Sequence, residues 1–565
     1  MNRRKSIVVV GGSAAGPKAA AKARRIDGSA GIVILQKTPE LSMATCGYPY
    51  YIGGCFNDRN MLLSTPTGVT RDPKFYVNVK DIDARIHTEV TSVDRANHTV
   101  SYRNLVTGEQ GAIPYDKLII ATGSIAQKPP IAGIDLEGIT SLHAIGEADY
   151  LRKIRDEGKV KRAVVAGGGL IGMETSEALH MSGIETTVVE LLPQILTFLD
   201  WELAKIVESH VRSKGVSVFT ENGIVEFLGD KGKLAAAKLQ SGLELPCELA
   251  VVAVGVKPNV HLARDAGLKI GATGGIEVNE YMQTSDPDIY AAGDCVETVN
   301  LITKRKELAP YGDLANLQGR VAGENAASEN RATFPGTIQT GICKVFDFSA
   351  GSTGLSESAA KSSGYNIIAA VNAGADKPSY MDGALLITKL VVEKTSGRIL
   401  GAQCVGPGNV GKQVAQWAVA IQAGLDLGRI VNADLPYAPP FSQAIDHFIT
   451  TAHVMQNKMK GRMKGISSVE VKEKTNRGET PFILDVRGPD EYEAMRLGIG
   501  EKLIPLGTLR KRLDELPQDK GKEIICYCKI SLRAYEAALT LGANGWRNVK
   551  VMEGGVAAWP YSREK

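Results

Sequence analysis

The hydrophobic and polar positions of the chain predict two strand, turn and helix units of the dinucleotide-binding type. In the first unit, the apolar run from Ser6 to Val10 ends in a glycine-rich turn, and Lys18 to Ile26 is predicted to form a helix. In the second unit, Arg162 to Ala166 ends in Gly167-Gly168-Gly169-Leu170-Ile171-Gly172, and a helix is predicted from Met173 to His180. A strand that ends in such a turn before a helix is typical of Rossmann-like domains, in which the turn holds a pyrophosphate.

The two units differ in how closely they follow the dinucleotide pattern. The second is a complete G-x-G-x-x-G, and its next strand, Glu185 to Val189, ends on Glu190. This carboxylate is suited to the ribose hydroxyls of NADH and would repel the 2'-phosphate of NADPH. In the first unit, Ser13 takes the place of the second glycine, and Gln36 follows the strand Gly31 to Leu35 where an acid is expected. An amide can still bond a ribose hydroxyl, although more weakly.

Further strands predict more than one additional domain. A buried strand ends on Ala121-Thr122-Gly123, and Cys247 to Gly255 is another apolar strand. From Phe334 onward the pattern changes to short alternating strands followed by a helix. We place these elements at Gly341 to Phe346, Ala384 to Val392, Ile399 to Val405 and, for the helix, Gly411 to Ala423.

The length of 565 residues exceeds one hydrophobic core and predicts several domains. The charges nearly balance, with 66 Lys and Arg against 62 Asp and Glu, so nothing favours nucleic acid as a partner. Eight cysteines without paired spacing argue against a disulfide framework, and no metal site is expected. The start Met1-Asn2-Arg3 leads into an apolar run too short for a signal peptide, and no run is long enough to span a membrane. We therefore expect a cytoplasmic protein.

One thiol stands at the centre of a loop of small and aromatic residues, Ser42 to Gly54. Flavin reductases with two redox thiols have a second cysteine five positions after the first, but that position is Tyr51 here, and Cys55 is nine positions from Cys46. We interpret Cys46 as a lone redox thiol. Such a thiol holds its oxidised form as a mixed disulfide, a persulfide or a sulfenic acid.

The loop and the two glycine turns resemble the coenzyme A-disulfide reductase branch of the FAD-dependent pyridine nucleotide-disulfide oxidoreductases. The last hundred residues resemble a rhodanese, with Asp485-Val486-Arg487 and Cys528-Lys529-Ile530-Ser531-Leu532-Arg533. The resemblance implies an α/β fold with two Rossmann-like domains, an α+β dimerisation domain and a C-terminal α/β rhodanese domain. It places FAD on residues 1–150 and 275–333, NADH on 151–274, dimerisation on 334–457 and the rhodanese on 467–565.

The resemblance also implies the cofactor residues. Thr284 to Asp294 is similar to the second FAD motif of the family, and Glu174, taken to lie in the first turn of its helix, corresponds to a glutamate near the nicotinamide. The FAD set is Gly11, Gly12, Ser13, Ala14, Ala15, Gly16, Gln36, Ala121, Thr122, Gly123, Gly293, Asp294 and Ala315. The NADH set is Gly167, Gly169, Ile171, Gly172, Glu174, Glu190 and Gly255.

For the substrate, the family binds the nucleotide end of coenzyme A with a basic helix face and with residues beside the thiol. The corresponding residues are Lys18, Lys22, Arg25, Ser42 and Thr45. A basic face is also what any solvated helix presents. The resemblance further implies a homodimer, in which Tyr437 assists the partner's thiol and Tyr380 lies nearby; a structural tyrosine in a proline-rich corner is the alternative.

In rhodaneses, the backbone amides of the cysteine loop face the sulfur, which favours the thiolate and a persulfide. Cys528 would have that role here, with Arg533 adding positive charge. The usual Gly-His-Ile of the family is Arg496-Leu497-Gly498 in this chain, so a rhodanese domain without activity stays an alternative.

The expected function is NADH-dependent reduction of coenzyme A persulfide, polysulfide or coenzyme A disulfide through Cys46, with the rhodanese domain handling sulfane sulfur. One alternative is an NADH oxidase or peroxidase that cycles Cys46 through a sulfenic acid. Another is a sulfurtransferase or redox-sensing protein in which the flavin is structural.

Overall fold

Two parallel sheets dominate the first half of the chain in this computed structural model, which describes residues 4–564. The limits predicted at residues 1 and 565 and the Met1-Asn2-Arg3 start lie outside those residues. The chain divides into two compact units: the first comprises Met1–Val189 and Asn222–Thr337, and the second comprises Glu190–Glu221 and Ile338–Lys565. Among residues 4–564 no helix combines the length and apolarity needed to cross a bilayer.

Up to residue 189 the elements are, in order, β1 (Ser6–Val10), α1 (Ala15–Ile26), β2 (Gly31–Leu35), α2 (Tyr48–Gly53), α3 (Pro73–Lys80), β3 (Asp83–Arg85), β4 (Thr88–Asp94), β5 (Thr99–Asn104), β6 (Gln110–Pro114), β7 (Lys117–Ile120), β8 (Ser124–Ala126), β9 (Ile139–Thr140), α4 (Ile145–Glu157), β10 (Arg162–Ala166), α5 (Leu170–Met181) and β11 (Glu185–Val189). Residues 190–221 form α6 (Trp201–Ser213) and β12 (Ser217–Phe219).

From residue 222 to residue 337 they are β13 (Ile224–Asp230), β14 (Lys233–Leu239), β15 (Glu244–Pro246), β16 (Leu249–Val252), β17 (Val256–Pro258), α7 (His261–Asp265), β18 (Ile289–Ala291), β19 (Thr298–Val299), β20 (Lys306–Glu307) and α8 (Gly312–Ser328). Next come β21 (Gly341–Val345), β22 (Phe348–Gly354), α9 (Glu357–Ser362), β23 (Ile367–Ala375), β24 (Leu385–Glu393), β25 (Ile399–Gly406), α10 (Val410–Gln422), α11 (Leu427–Ile430) and α12 (His447–Met459).

The C-terminal elements are β26 (Gly465–Ile466), α13 (Ser468–Asn476), β27 (Phe482–Asp485), α14 (Pro489–Ala494), β28 (Lys502–Leu503), α15 (Leu506–Leu509), β29 (Ile524–Tyr527), α16 (Leu532–Ala543) and β30 (Val549–Met552). Short 3₁₀ turns lie at Thr45–Gly47, Arg59–Leu63, Ser379–Met381, Leu513–Glu515 and Gly555–Ala558.

The first parallel sheet has the strand order β18-β7-β1-β2-β3, with β1 at its centre. Ile7, Val8 and Val9 have no exposed surface, as expected for a central parallel strand that is covered on both faces. Val10 pairs with Ile120, so the carboxyl ends of β1 and β7 lie side by side. The glycine turn after β1 is therefore next to the segment that follows β7.

In the second parallel sheet, β10 pairs with β11 on one side and with β16 on the other. The strand predicted over Cys247 to Gly255 is shorter, Leu249–Val252. The helices after both glycine turns begin earlier than predicted, at Ala15 rather than Lys18 and at Leu170 rather than Met173. Each turn runs directly into its helix, so the last glycine of each motif is already helical.

Helices α1 and α8 pack backbone against backbone. A Cβ atom on Gly319 would lie closer than 3.0 Å to the carbonyl oxygen of Ala15, and one on Gly323 would lie equally close to that of Ala19. The two glycines are one helical turn apart on α8, so they form a continuous groove for α1. Both helices belong to the core of the first unit.

In the second unit, an antiparallel sheet of order β21-β22-β25-β24-β23 is covered by helices that include α10 and α12. Trp417 is fully buried, and its ring centroid lies 4.3 Å from that of Phe448. The C-terminal domain is a parallel sheet of order β26-β30-β29-β27-β28. Its central strand, β29, is buried along its whole length.

A buried carboxylate connects these two sheets of the second unit. Glu553, directly after β30, accepts a hydrogen bond from the backbone N–H of Val371 on β23 at 2.9 Å. It also forms an ion pair with Lys458 at the end of α12. Only 3% of Glu553 is exposed, whereas Lys458 is half-buried, so the carboxylate of the pair is removed from water.

We predict that Gly323→Ala destabilises the first unit. The added methyl group meets backbone rather than a flexible side chain, so α1 and α8 must separate, at a cost of about 1–3 kcal/mol. The measurement is the thermal unfolding midpoint of the purified protein. The control is Gly146→Ala in α4, where a Cβ meets nothing within 4 Å; its midpoint should stay level or rise slightly. Equal midpoints for the two variants would contradict the prediction.

Candidate active site

The two glycine turns have the same backbone geometry. The first glycine of each turn has a positive φ, 106° at Gly11 and 105° at Gly167. A Cβ on Gly16 would collide with the carbonyl oxygen of Gly11, and one on Gly172 would collide in the same way with that of Gly167. These glycines are therefore required by the close crossing of strand and helix.

Both turns are suited to an anionic group. Neither α1 nor α5 has a side-chain cap or an acidic residue in its first turn, so their leading N–H groups stay available to a ligand. A Cβ on Gly169 would point into open space, and Ser13, at the matching place in the first turn, is exposed. The residues predicted to hold dinucleotides thus form two cradles that fit a pyrophosphate.

Gln36 is engaged within the chain. Its amide oxygen accepts the N–H of Gly12 at 2.7 Å, and its amide nitrogen donates to the hydroxyl of Thr38 at 2.6 Å. One N–H and the second lone pair of the amide oxygen are left toward a ribose, so contact with the adenosine of FAD stays a prediction. Glu190, the acid predicted for NADH, directly follows β11 in sequence, and its carboxylate accepts the N–H of Leu192 at 2.9 Å.

The predicted flavin segments converge at the carboxyl ends of β7 and β18. Asp294 accepts a hydrogen bond from Ser124 at 2.9 Å, and burial raises the pKa of its carboxyl, although Ser124 and His143 oppose this. Gly293 has a φ of 88° and donates its N–H to Gln318 at 2.8 Å. Ala315 is buried, and a Cβ on Gly293 would lie 3.6 Å from its side chain, so it contacts this region. Gly255, which the sequence assigns to NADH, accepts the N–H of Gln127 at 2.9 Å.

Asn259 fixes the tripeptide after β7. Thr122 donates its hydroxyl to the carbonyl of Asn259 at 2.7 Å, and the N–H of Asn259 bonds the carbonyl of Gly123 at 2.9 Å. A Cβ on Gly11 would collide with the carbonyl oxygen of Ala121, so the tripeptide crosses the first glycine turn closely. The tripeptide is thus a tight return at the edge of the first cradle.

Cys46 lies in the 3₁₀ turn Thr45–Gly47, just before α2, and its side chain is exposed. A methyl group on Gly312 would be 3.6 Å from its Sγ, so the thiol faces the first residue of the 17-residue helix α8. Desolvation and the carboxylate of Glu174 raise the pKa of the thiol, and Asp294 adds to this, whereas a hydrogen bond with Thr45 lowers it. Of the eight cysteines, Cys46 and Cys55 are the exposed ones.

The expectation that Glu174 lies in the first turn of its helix is wrong. Since α5 begins at Leu170, Glu174 is the fifth helical residue, and the first turn has no acid. A favourable interaction with the positive N-terminus of the helix therefore does not explain an acid at position 174. Instead its carboxylate accepts a hydrogen bond from the hydroxyl of Tyr50 at 3.1 Å, from α2.

The predicted basic face is one side of a larger cluster. Burial lowers the pKa of Lys18, and the charges of Arg25, Arg320 and Arg71 act in the same direction, so these three cations lie within electrostatic range of Lys18. Lys22, in contrast, is paired with Glu324 at 2.8 Å. Sequence reasoning missed Arg71 and Arg320, because neither lies near Lys18 in sequence and neither belongs to a local pattern.

The segment Phe56 to Lys80, which had no assigned role in the sequence, covers the thiol loop. The N–H of Ala44 bonds the carbonyl of Leu62 at 2.9 Å, and the Leu62 side chain lies over Gly47. Ser42, with a φ of 55°, shares a hydrogen bond of 2.5 Å with the hydroxyl of Tyr76 on α3. The same segment carries Arg71, so it brings a cation of the cluster to the side of Ser42.

In the second unit, Tyr437 and Tyr380 are exposed by 53% and 72%. Tyr437 is on the loop between α11 and α12, where it lines a cavity of about 860 Å³ with Lys412, Phe441 and Asn409 among others. Lys412 donates to Asp446 at 2.6 Å and to the carbonyl of Phe441 at 3.3 Å, which fixes the loop.

Cys528 follows β29, and its side chain is buried. Its carbonyl accepts the N–H of Val556 at 2.9 Å. The hydrogen bond with Glu491 is the main cause that raises the pKa of the Arg533 guanidinium, and the charge of Cys528 acts in the same direction. That bond is bidentate, at 2.7 and 2.8 Å, so Arg533 is a paired cation rather than a free one.

The segment that replaces Gly-His-Ile is closed by a carboxylate. Glu501 accepts the N–H groups of Leu497, Gly498 and Ile499 at 2.7, 3.1 and 2.8 Å. It also accepts the hydroxyl of Tyr527 at 3.2 Å. The departure from the rhodanese pattern is thus an ordered turn.

Family models match nearly the full chain. The model of the pyridine nucleotide-disulphide oxidoreductases matches residues 5–310, that of their dimerisation domain matches 340–449, and that of the rhodanese-like domain matches 467–561. Two of these matches fall on the sheets of the second unit. The fold class expected from the sequence is confirmed.

Relatives and solved structures agree. The NAD(P)H coenzyme A polysulfide/persulfide reductase of Pyrococcus horikoshii is 32% identical over 80% of this chain and 99% of its own length. An NADH oxidase of Methanocaldococcus jannaschii is 32% identical over 77% of this chain and 95% of its own. The structure of a NAD-dependent persulfide reductase from A. fulgidus, at 43% identity, superposes with a TM-score of 0.93 and covers 98% of this chain and 100% of that one. The chain belongs to the pyridine nucleotide-disulphide oxidoreductases.

Proposed function

We propose that the protein is an NADH-dependent reductase of coenzyme A persulfide or a related coenzyme A disulfide species, with Cys46 as its single redox thiol. The observation that carries the proposal is an exposed thiol, Cys46, in a loop flanked by the cationic cluster of Lys18, Arg25, Arg71 and Arg320. A dense group of cations attracts a polyanionic nucleotide, and a lone thiol takes its oxidised form from outside the chain.

The cofactor roles follow the two cradles. FAD is assigned to 1–150 and 275–333 and NADH to 151–274. The residues of the Gly11 to Gly16 turn and Asp294 would hold FAD, and those of the Gly167 to Gly172 turn with Glu190 would hold NADH. When bound, the flavin supplies two-electron transfer between NADH and the thiol.

The chain's own chemistry centres on one sulfur exchange. The Cys46 thiolate attacks the outer sulfur of the persulfide, the original S–S bond breaks, and coenzyme A leaves as a thiolate. Two electrons from NADH then break the new S–S bond, and the sulfur leaves as hydrosulfide while Cys46 returns to its thiolate. Lys18 and Arg71 hold the phosphates of the carrier during this exchange.

The active enzyme is proposed to be a homodimer in which each subunit contributes to the site of its partner. The dimerisation domain carries exposed apolar side chains, which are Ile342 at 48%, Val419 at 66%, Phe441 at 72% and Ile445 at 55%. Large exposed apolar groups of this kind are typical of protein interfaces. Within such a dimer, Tyr437 would give a proton to the leaving thiolate of the partner's site, with Tyr380 nearby.

The C-terminal domain is proposed to bind and transfer sulfane sulfur. Cys528 would take sulfur from polysulfide or another persulfide and pass it to coenzyme A or to Cys46. Covalent fusion raises the local concentration of this second thiol. The match to an NADH oxidase supports a second candidate, reduction of oxygen or peroxide through a Cys46 sulfenic acid. The cationic cluster favours the coenzyme A substrate.

The decisive experiment compares sulfide release from coenzyme A persulfide, coenzyme A disulfide with added sulfane sulfur, and inorganic polysulfide. Cys46→Ser should lower NADH-driven sulfide release at least about 100-fold with every donor, because no second thiol replaces the nucleophile. Cys528→Ser should retain release from coenzyme A persulfide and lose most of the release from polysulfide. Cys55→Ser is the control and should behave as wild type.

Sulfide release that survives in Cys46→Ser would overturn the proposal. NADH consumption that depends on oxygen or peroxide, with no response to any sulfur donor, would instead favour the oxidase. Absence of flavin reduction by NADH in a stopped-flow experiment would favour a sulfurtransferase or sensor with a structural flavin.

We predict that Lys18→Met raises the KM for coenzyme A persulfide about 5- to 10-fold, with little change in kcat, because the cluster loses one phosphate contact. The KM for inorganic polysulfide, which has no nucleotide, should not change. Lys74→Met, at an exposed position of α3, is the matched control. Added salt should narrow the difference in the KM for coenzyme A persulfide between the wild type and Lys18→Met, because salt screens the charges. An equal rise in KM with both donors would contradict a role of Lys18 in nucleotide binding.

We predict that NADH is preferred over NADPH by at least about tenfold in kcat/KM, because the Glu190 carboxylate repels a 2'-phosphate. Glu190→Ala should narrow that ratio by improving NADPH and impairing NADH. Steady-state kinetics with both nucleotides provide the check, and equal kcat/KM values in the wild type would refute the assignment.

A further inference from the structure

A tyrosine hydroxyl bonds the carboxylate whose charge acts on the Cys46 thiol, and the proposed function gives neither group a role in the sulfur exchange. Tyr50 lies on α2, four residues after Cys46, and is half-buried. Its hydroxyl donates to Oε1 of Glu174, on α5, at 3.1 Å. The contact joins two helices that are distant in sequence, so it is a tertiary feature of the site.

Several groups act on the thiol at this place. The carboxylates of Glu174 and Asp294 disfavour its ionised form, and the Thr45 hydroxyl favours it. The N-terminus of α8 also lies near the sulfur, since a Cβ on Gly312 would be 3.6 Å from Sγ, and the positive end of a helix favours a thiolate. Of the two acids, Glu174 has the larger effect on Cys46, and it is the acid that Tyr50 contacts.

We propose that Tyr50 is a positioning residue that acts through Glu174: its hydroxyl fixes the carboxylate and disperses the negative charge, so that the Cys46 thiolate forms more readily. A neutral donor that bonds a carboxylate shares the charge without cancelling it. The inference rests on the proposed use of Cys46 as the redox thiol. It adds a residue that sets how much of that thiol is ionised near neutral pH.

The test is the pH dependence of Cys46 alkylation by iodoacetamide in the flavin-containing enzyme, without NADH or a sulfur donor. A Cys55→Ser background leaves Cys46 as the exposed cysteine of the chain. Tyr50→Phe should move the alkylation curve to higher pH and slow the reaction near neutral pH about threefold, which corresponds to about half a pKa unit. Glu174→Gln should move the curve to lower pH and accelerate the reaction by a similar factor.

Two further variants separate this role from a structural one. Tyr51→Phe removes the neighbouring hydroxyl of α2, which bonds Asp149 at 3.3 Å instead, and should leave the curve unchanged. The double variant Tyr50→Phe with Glu174→Gln should titrate as Glu174→Gln alone, since Tyr50 acts only through the acid.

An unchanged curve in Tyr50→Phe, an equal shift in Tyr51→Phe, or an additive shift in the double variant would overturn the inference. The outcome does not depend on reductase activity, because the labelling reaction uses neither NADH nor persulfide. If the enzyme fails to reduce persulfide while the curves shift as expected, the proposed function fails and the Tyr50 inference stands.

Discussion

The close crossing of backbone at the glycine turns is the constraint on which the first unit depends. Gly16 lies on the carbonyl of Gly11, and Gly172 lies on that of Gly167, so strand and helix meet without room for a side chain. This contact brings the uncapped helix ends to the edge of each parallel sheet. The same closeness continues along α1, where the Gly319 and Gly323 groove of α8 receives it. Helix α8 in turn presents its first residue to Cys46.

Charge is sorted around the thiol. Carboxylates of Glu174 and Asp294 raise the pKa of Cys46, whereas cations gather around Lys18. The acids disfavour the ionised form of the thiol, and in the proposed function the cations bind the phosphates of the substrate. A substrate with a polyanionic end and a reactive sulfur at the other end is suited to this arrangement, because each end meets the groups that stabilise it.

The sequence was sufficient for features with a local pattern. Periodicity and glycine spacing located β1, β2, β10 and β11, and the single-thiol loop was recognisable from Tyr51 at the position of a second cysteine. Helix starts were placed three residues late, because glycine within the first turn conceals where helical geometry begins. Arg71, Arg320 and the Tyr50 contact with Glu174 had no local signal, since tertiary packing alone brings them to the site. Glu174 was placed in the first turn of α5 because the start of that helix was predicted at Met173 rather than at Leu170.

The ion pair of Glu553 and Lys458 restricts how the rhodanese-like domain can move within the second unit. If the rhodanese-like domain moved away from the antiparallel sheet, the buried Glu553 carboxylate would lose its ion-pair partner and the Val371 N–H would lose its acceptor. Such a loss costs several kcal/mol. Within the second unit, these contacts therefore hold the domain that carries Cys528 in place against the antiparallel sheet. In the proposed function, sulfur held by Cys528 would therefore pass to an acceptor that reaches this domain, and the transfer would not need the domain to swing away from the antiparallel sheet.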